Sequence, residues 1–332
     1  MRQKNDAHLF KQAIDSLKNE SWLGNRKWWP NYLFHFTDIK NAAKILSYGK
    51  LLSRDKITLI GDMQNENASP EVINNTVSKW KKYVRFYFRP RTPTQFNNEG
   101  FRPINERLLG GAHCPMPIFF IFHSLPLITL EDSQFSYGSL ASHGTETYNT
   151  IERFKEMPFE SIYHEGSYDP YSQNYIKYHR HAELIIPDDC DLEYLYGIVC
   201  RSHAEKETFL HQLDALTAKI WEKLISVDTS GKLFYSHWTY IDRAVLSTER
   251  ITFYLNKGNR VKGVFEYHLD ILEHQSGKHY YSSKKGYSPK DMLNFDLKNL
   301  KNPNDYAVTL RLDGDLAYSN VYKNKEDDDL PF

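Results

Sequence analysis

The stretch CPMPIFFIFHS, residues 114–124, is an almost unbroken run of apolar side chains. It is too short to span a bilayer, which takes about 20 residues. A strand with one wet face alternates apolar and polar residues, whereas a strand that is covered on both faces is apolar throughout. We therefore predict that residues 114–124 form a buried central strand.

Length and charge narrow the possible functions. With 332 residues the chain can bury a large core, and this length favours about two domains. Lysine plus arginine and aspartate plus glutamate both total 42, so the formal net charge is zero. Binding to nucleic acid therefore needs a local basic patch, although most runs of basic residues are only solvated faces. The candidate patch contains Lys79, Lys81, Lys82, Arg85, Arg89 and Arg91.

The compartment follows from three absences in the sequence. Residues 1–12 lack the apolar core of a signal peptide, and no apolar run is long enough for a membrane span. The three cysteines, Cys114, Cys190 and Cys200, show no close paired spacing, so neither a disulfide framework nor a zinc knuckle is indicated. We expect a soluble cytoplasmic protein without a membrane partner.

The N-terminal part is predicted to alternate helix and strand. Residues 8–20 have the apolar spacing of an amphipathic helix, and residues 32–36 are typical of a strand. Asp38 can cap the helix that follows, and Gly49 can end it. A second short extended piece is expected at residues 51–52.

The middle of the chain is less regular. Polar residues 61–72 predict a loop, and residues 131–176 predict a long functional loop or lid, because their periodicity is weak. We expect strands at residues 177–187 and 192–200, and one amphipathic helix at residues 204–226.

After about residue 228 apolar and polar residues alternate with a period of two. This pattern predicts an antiparallel β module with one wet face over residues 228–322. The alternating segments are LFYSHWTYI, RITFYLN, VKGVFEYHLDIL, YAVTLRL and LAYSNVY.

The stretch VRFYFRPRTPTQF, residues 84–96, combines a strand with a stiff corner. Its first six residues alternate as in a half-buried strand, and Pro90 and Pro93 then end the hydrogen-bonding ladder. The arginines that enter this corner favour a binding site for an anionic, aromatic ligand. The alternative for Arg91 is that it only anchors a loop to a carboxylate.

His35 and Thr37 lie at a strand end just before a helix N-terminus, where they could hydrogen-bond a ribose or an amide. The alternative is an ordinary pair of polar residues whose hydrogen bonds are satisfied locally. Glu183 is an acid in an otherwise apolar strand, so it is either paired structurally or held for chemistry. A period of two would place His179 and His181 on its face. No third ligand has matched spacing, and we predict no metal site.

Four segments in a fixed order then resemble one family. They are LFHFTDIKNAAKILSYGKLLS, VRFYFRPRTPTQF, CPMPIFFIF and HRHAELIIP. Together they resemble the DarT family of NAD-dependent ADP-ribosyltransferases, which are toxins that modify bases in single-stranded DNA. The resemblance covers residues 30–226.

The resemblance implies an α+β fold with the split mixed β-sheet and flanking helices of an ADP-ribosyltransferase, and the small antiparallel β module lies outside it. The expected parts of the chain are an N-terminal helical segment (1–29), the DarT-like domain (30–227), the β module of unknown role (228–322) and an acidic tail (323–332). NAD is the implied substrate, bound in the split of the sheet.

Site residues also follow from the resemblance. It assigns NAD binding to His35, Phe36, Thr37, Leu52 and Arg91, and catalysis to Glu183 and Arg91. Family members often carry Met where this chain has Thr94, so the choice of base is open. In this reading Glu183 stabilises the oxocarbenium-like transition state, and losing such a group costs about 10²–10³-fold in rate. Arg91 holds NAD phosphate and the acceptor base.

The acceptor edge of a base is hidden in a duplex, so single strands are the expected substrate. Arg85, Arg89 and Tyr87 are the predicted nucleic-acid contacts. Two alternatives stay open. One is the same reaction on RNA, for example by a phage-defence toxin acting on mRNA. The other is a catalytically silent module that binds NAD or nucleic acid.

Two protein partners are predicted. The family relation implies a cognate antitoxin, expected to be a macrodomain hydrolase that removes ADP-ribose. The ending EDDDLPF, residues 326–332, resembles the acidic tip of bacterial single-stranded-DNA-binding proteins, which binds apolar pockets with basic rims. The alternative is a disordered tail that only aids solubility.

Overall fold

The computed structural model describes residues 2–66, 70–108, 110, 112–289 and 292–324. The acidic end of the predicted tail lies outside the described residues. The helices are α1 (Ala7–Leu17), α2 (Ile39–Tyr48), α3 (Arg54–Leu59), α4 (Pro70–Asn75), α5 (Pro93–Asn98), α6 (Ser124–Ile128), α7 (Ile151–Lys155), α8 (Phe159–Ile162), α9 (Gln173–His179), α10 (His203–Gln212) and α11 (Ala215–Trp221).

The strands are β1 (Tyr32–Asp38), β2 (Lys50–Leu52), β3 (Tyr83–Tyr87), β4 (Pro117–His123), β5 (Gln134–Ser136), β6 (Thr147–Tyr148), β7 (Glu183–Pro187), β8 (Asp189–Asp191), β9 (Leu195–Cys200), β10 (Ile225–Val227), β11 (Ile241–Leu246), β12 (Arg250–Leu255), β13 (Phe265–Glu273), β14 (Lys278–Tyr287), β15 (Met292–Asp296), β16 (Asp305–Leu312) and β17 (Asp315–Lys323).

The main sheet has the strand order β10-β9-β4-β1-β3-β7-β5-β6. It is mixed, because β9 and β10 run parallel and their neighbours pair antiparallel. The predicted central strand is confirmed as β4, which is buried from Pro117 to Phe122. In the described residues β1 and β3 meet through the register pair Phe34–Tyr87 alone, so the sheet splits there into two halves. The expected split mixed sheet with flanking helices is confirmed.

Local sequence signals account for the elements around β1. Helix α1 buries Phe10, Ile14 and Leu17, as its apolar spacing predicts. The Asp38 side chain caps α2 by accepting a hydrogen bond from the Lys40 N–H at 3.0 Å. Gly49 ends this helix in the left-handed conformation, with φ of 67°.

Three predictions for the middle of the chain are wrong in part. Helix α4 begins at Pro70, inside the predicted loop at residues 61–72. The predicted loop at residues 131–176 contains β5, β6, α7, α8 and the start of α9. The predicted strand at residues 177–187 begins only at Glu183, because α9 continues to His179. His179 therefore does not share a strand face with Glu183.

The predicted helix at residues 204–226 is divided. It ends at Gln212, and Asp214 starts α11 by accepting hydrogen bonds from the N–H groups of Leu216 and Thr217 at 3.0 and 2.9 Å. Leu216 and Ile220, two apolar residues of the predicted amphipathic helix, are exposed. The break rotates them away from the core.

The C-terminal region forms two antiparallel sheets, in the orders β11-β12-β15 and β14-β13-β16-β17. The predicted strand LFYSHWTYI is wrong, since only its last residue, Ile241, belongs to a strand. The module packs on α10. The Tyr318 hydroxyl donates to Glu207 at 2.6 Å, and the Ser319 N–H donates to Thr208 at 3.2 Å. Within the described ranges no helix has the length and apolar character that crossing a membrane requires.

Candidate active site

A cavity of about 270 Å³ lies where the two halves of the main sheet part, and we call it the sheet cleft. Strands β1, β2 and β3 contribute its central side chains. Those named by the sequence analysis are His35, Phe36, Thr37, Leu52, Arg85 and Tyr87. The residues predicted to bind NAD therefore share one cavity, with the exception of Arg91.

His35 is held in one tautomer. Its Nδ1 lies 3.0 Å from the carbonyl oxygen of Arg85, which can only accept, so Nδ1 carries the proton and donates. Burial lowers the pKa of His35 and keeps the imidazole neutral at pH 7. Nε2 is then a hydrogen-bond acceptor, as a ribose hydroxyl requires.

Glu183 faces the same side of the sheet as the lining residues of β3. It lies directly opposite Tyr87 in the β3–β7 register, and directly paired residues project to the same face. Its Oε1 is 3.5 Å from Nη1 of Arg85, and its side chain is almost fully buried. Arg85 therefore connects the two key groups, contacting His35 through its carbonyl and Glu183 through its guanidinium.

The charge state of Glu183 reflects opposing effects. Burial raises the pKa of its carboxyl, while the positive charge of Arg85 and the N–H of Leu140 oppose this shift. The Leu140 N–H donates to Oε2 at 3.2 Å, and the Glu183 N–H donates to the Ser136 hydroxyl at 3.3 Å. Arg85 and the Leu140 N–H therefore each contact one oxygen of the carboxylate, while Ser136 contacts the backbone of Glu183.

Residues 138–145 lie in the predicted loop at residues 131–176, and their contact with Glu183 was not predicted. This segment supplies the Leu140 N–H. A Cβ on Gly138 would lie 2.4 Å from the Tyr178 ring, so only glycine fits between the loop and α9. Tyr178 in turn lies 3.0 Å from the Thr145 hydroxyl. Leu140 and Glu183 are 43 residues apart, and no local signal in the sequence indicates this contact.

Arg91 lies outside the sheet cleft. Its backbone is left-handed, with φ of 56°, and its side chain turns towards the segment before β11. Nε and Nη2 donate to the carbonyl oxygen of Phe234 at 3.1 and 2.9 Å, and Nη2 also donates to Gly231. The structure does not bring Arg91 together with His35 and Glu183.

The three predicted nucleic-acid contacts do not lie together, because Arg85 and Tyr87 line one cavity and Arg89 lines another. Arg89 is fully buried against Trp29, and it donates to the carbonyl oxygens of Ile162 and His164. Burial and the nearby Arg180 lower the pKa of Arg89 to about 9. Arg85 and Tyr87 contribute to the lining of the sheet cleft.

A second cavity, of about 490 Å³, lies beyond α5, and we call it the basic cavity. Its lining residues are Arg89, Arg91, Pro93, Phe96, Asn97, Glu165, Gly166, Tyr168, Lys177, Arg180 and Tyr235.

In the described part of the chain no group of three or more His, Cys, Asp or Glu residues could hold a metal ion.

A family model described as ssDNA thymidine ADP-ribosyltransferase, DarT, matches residues 34–235, which is more than half of the chain. The chain belongs to the DarT family. It is therefore an NAD-dependent ADP-ribosyltransferase, and NAD is the substrate that donates ADP-ribose. The match ends within the segment that Arg91 contacts.

Solved structures of DarT proteins are similar to this chain. Thermus sp. 2.9 DarT in complex with ADP-ribosylated ssDNA has 17% identity and a TM-score of 0.48, over 62% of this chain and 97% of that one. The same protein in complex with NAD+ has 17% identity and a TM-score of 0.47, over 62% and 98%. Thermosipho africanus DarTG in complex with ADP-ribose has 17% identity and a TM-score of 0.47, over 66% and 53%. No curated protein matches the chain.

Proposed function

We propose that this enzyme transfers ADP-ribose from NAD to a base of single-stranded DNA and releases nicotinamide. One observation supports the assignment above others, namely that Arg85 holds Glu183 on the cleft face at 3.5 Å, beside the neutral His35. The family model, whose description names ssDNA thymidine, supports the acceptor class.

In this proposal the bond between C1′ of the ribose and the nicotinamide nitrogen breaks, and its electron pair leaves with nicotinamide. Positive charge develops on the ribose, and the buried carboxylate of Glu183 stabilises it. His35 accepts a hydrogen bond from a ribose hydroxyl through Nε2, while Thr37 and Leu52 line the nicotinamide end. A ring nitrogen of the base then bonds to C1′, and the base proton is released to solvent.

We assign Arg85 a role that the sequence analysis gave to Arg91. Arg85 borders the sheet cleft, pairs with the glutamate, and retains one buried nitrogen, Nη2, without a hydrogen-bond partner among the described residues. A charged donor at this place can bind a phosphate of NAD or stabilise a deprotonated base. Arg91 serves the acceptor side from beyond α5.

The acceptor base is proposed to enter beside Thr94 and His181. Burial lowers the pKa of His181 to about 4, so its ring is neutral. Its Nδ1 donates to the Lys177 carbonyl at 3.0 Å, and its Nε2 therefore accepts from the Thr94 hydroxyl at 3.1 Å. A hydroxyl stands here where family members often carry Met. This exchange makes the entry more polar, and we expect it to affect base choice.

Labelled NAD and four homopolymer oligonucleotides, each made as DNA and as RNA, test the proposal. We expect label on single-stranded DNA, most of all on oligo-dT, and little on the matched duplex. Label on RNA alone would replace the DNA assignment by the RNA one. Release of nicotinamide without any labelled oligonucleotide would show that the enzyme only cleaves NAD, and it would refute base modification.

The biological setting belongs to the same proposal. We infer that the enzyme acts as a toxin on cytoplasmic DNA and is opposed by a cognate antitoxin, for which a macrodomain hydrolase is the expected type. The acidic tail of the enzyme would recruit it to proteins that bind the acidic tips of single-stranded-DNA-binding proteins. Deleting residues 326–332 and measuring binding to a tip-recognising protein tests the last point, since unchanged binding ends it.

A further inference from the structure

Helix α5 separates the basic cavity from the sheet cleft. Its cleft-facing residues and cavity-facing residues alternate around the helix. Thr94 and Asn98 line the cleft, whereas Pro93, Phe96 and Asn97 line the basic cavity. A ligand that continues past the edge of the cleft at α5 would therefore reach the basic cavity next.

The basic cavity is rich in positive charge. Arg89, Arg91, Lys177 and Arg180 give it four cations. Among its described lining residues the one carboxylate is Glu165, which pairs with Arg91 at 3.7 Å and is itself shared with Arg26. Like charges that are held together at partly buried positions are unfavourable unless an anion balances them.

Two of these cations have unused hydrogen-bonding capacity. Arg89 is fully buried and Arg180 is 6% exposed, yet Nη2 of Arg89 and Nε of Arg180 have no hydrogen-bond partner among the described residues. Buried donors in native proteins are almost always paired, so each of these nitrogens requires an explanation. A bound phosphate oxygen would supply the missing acceptor.

Aromatic rings complete the cavity. The Lys177 Nζ lies 5.5 Å from the centre of the Tyr168 ring, and the Arg180 guanidinium lies 5.4 Å from it. Phe96 and Tyr235 pack edge to face, with ring centres 5.1 Å apart. Cations beside aromatic faces are typical of surfaces that bind single-stranded nucleic acid through its backbone and stacked bases.

We infer that the basic cavity binds a backbone phosphate of the acceptor strand, next to the nucleotide whose base enters the sheet cleft. This rests on the proposed function. The cavity reads no base edge and is therefore indifferent to sequence. Lys177, Arg180 and Tyr168 become nucleic-acid contacts that the sequence analysis did not name.

The pyrophosphate of NAD carries the same anionic groups as a nucleic-acid backbone, but the position of the basic cavity favours the acceptor strand. The residues that hold the NAD ribose and nicotinamide, His35, Thr37 and Leu52, are on the other side of α5. A nucleic-acid strand continues on both sides of the reacting base, so it has phosphates on both sides of the cleft.

Lys177→Glu tests the inference, because this side chain makes no ion pair in the described structure and its carbonyl, which holds His181, is unchanged. Lys219→Glu, at an exposed lysine of α11 that lines neither cavity, is the control. We expect Lys177→Glu to raise the KM for an oligo-dT acceptor about 10-fold or more, with the KM for NAD unchanged. The salt dependence of binding should weaken by about one phosphate contact.

Glu165→Gln should act in the opposite direction and lower the KM for the acceptor, because it removes the negative charge that competes with the phosphate. A raised KM for NAD in Lys177→Glu would assign the cavity to the dinucleotide and overturn the inference. Equal acceptor KM values for the Lys177 and Lys219 variants would overturn it too, while the transferase assignment stands.

The affinity for a fluorescent oligo-dT can be measured by fluorescence anisotropy in the absence of NAD. This measurement tests binding in the cavity separately from the reaction. Binding that depends on Lys177 in a protein that labels no oligonucleotide would support the cavity and refute the proposed function. Binding that is independent of Lys177 overturns the inference, whatever the activity.

Discussion

The sheet cleft and the basic cavity share helix α5 but hold charge in opposite ways. On the cleft face of the sheet Glu183 pairs with Arg85 at 3.5 Å. Among the residues that line the cleft, Arg54 pairs with Glu66 at 2.6 Å and Lys44 with Asp62 at 3.1 Å. In the basic cavity four cations meet one exposed carboxylate. A balanced buried pair is suited to positive charge that appears only during the reaction, whereas an unbalanced set of cations is suited to an anion that is already present.

This difference predicts which kinetic parameter each region controls. Groups that act on developing charge change kcat, and groups that bind substrate and transition state equally change KM. Substitutions in the cleft should therefore lower kcat, and substitutions in the basic cavity should raise the KM of the acceptor.

The largest effect is expected for Glu183→Gln. It keeps the size of the side chain and removes the charge, so transfer should slow by about 10²–10³-fold. Single-turnover transfer from labelled NAD measures this. Glu249→Gln, at an exposed glutamate of the β module, is the matched control and should retain full activity. If Glu183→Gln also keeps its activity, the carboxylate does not stabilise the transition state and the proposed mechanism is wrong.

The same carboxylate predicts a pH dependence. Burial raises the pKa of Glu183 above its ordinary value of 4.5, so activity should fall as the pH drops through that raised pKa. The contribution of Glu183 to the free energy of unfolding changes in the opposite sense. This contribution is complete below pH 4.5 and is lost as the pH rises through the folded-state pKa. Relative to the wild type, Glu183→Gln should therefore gain free energy of unfolding as the pH rises. A pH-independent difference would show that the carboxyl is not perturbed.

Arg85→Gln should have the next largest effect. Charge-assisted hydrogen bonds contribute about 1.5–3 kcal/mol, and partial exposure of Arg85 brings the expected loss in kcat to about 10-fold. Without the arginine the pKa of Glu183 should rise further, which moves the acid limb of the rate profile to higher pH. Arg85→Lys keeps the charge and should move that limb less. A pH profile that is identical in all three proteins would contradict the ion pair.

How much of this could be predicted from sequence depends on the range of the interactions. The β1–α2 unit was predicted correctly, because the Asp38 cap and the left-handed Gly49 are local signals. The divided helix at residues 204–226 was missed, although Asp214 is also a local cap, because the apolar spacing continued across it. Periodicity outweighed a capping residue that in fact decides the break.

Long-range contacts explain the other failures. The alternating stretch LFYSHWTYI is not a strand, because its residues are held by distant partners. Buried Glu99 accepts hydrogen bonds from the N–H groups of Tyr235 and Ser236 at 3.1 and 2.7 Å. Arg85 was expected to bind nucleic acid, and nothing in its own neighbourhood of the sequence indicates the Glu183 partner 98 residues away. His35, Thr37 and Glu183 were noticed as candidates from their positions in the sequence, but their roles followed only from the resemblance.

Gly138→Ala should have a moderate effect on the cleft. The new methyl group would meet the Tyr178 ring at 2.4 Å, so the loop that carries the Leu140 N–H must shift away from Glu183. We expect about a 10-fold lower kcat, the usual cost of losing one hydrogen bond to a charged group. Gly197→Ala, where a Cβ would have an ordinary contact at 3.7 Å, is the control. Equal activity of the two variants would show that the Leu140 contact is dispensable.

Arg91→Lys should have the smallest effect and bears most directly on the comparison. Lysine keeps the positive charge of the basic cavity, but it cannot donate to the carbonyls of Phe234 and Gly231 in the manner of a guanidinium. We expect the free energy of unfolding to fall by about 1 kcal/mol, measured by urea denaturation, with kcat within about threefold of the wild type. A loss of kcat as large as that of Glu183→Gln would instead make Arg91 catalytic. The arginine would then have to swing across α5 when NAD binds, and the division of labour between the two cavities would be wrong.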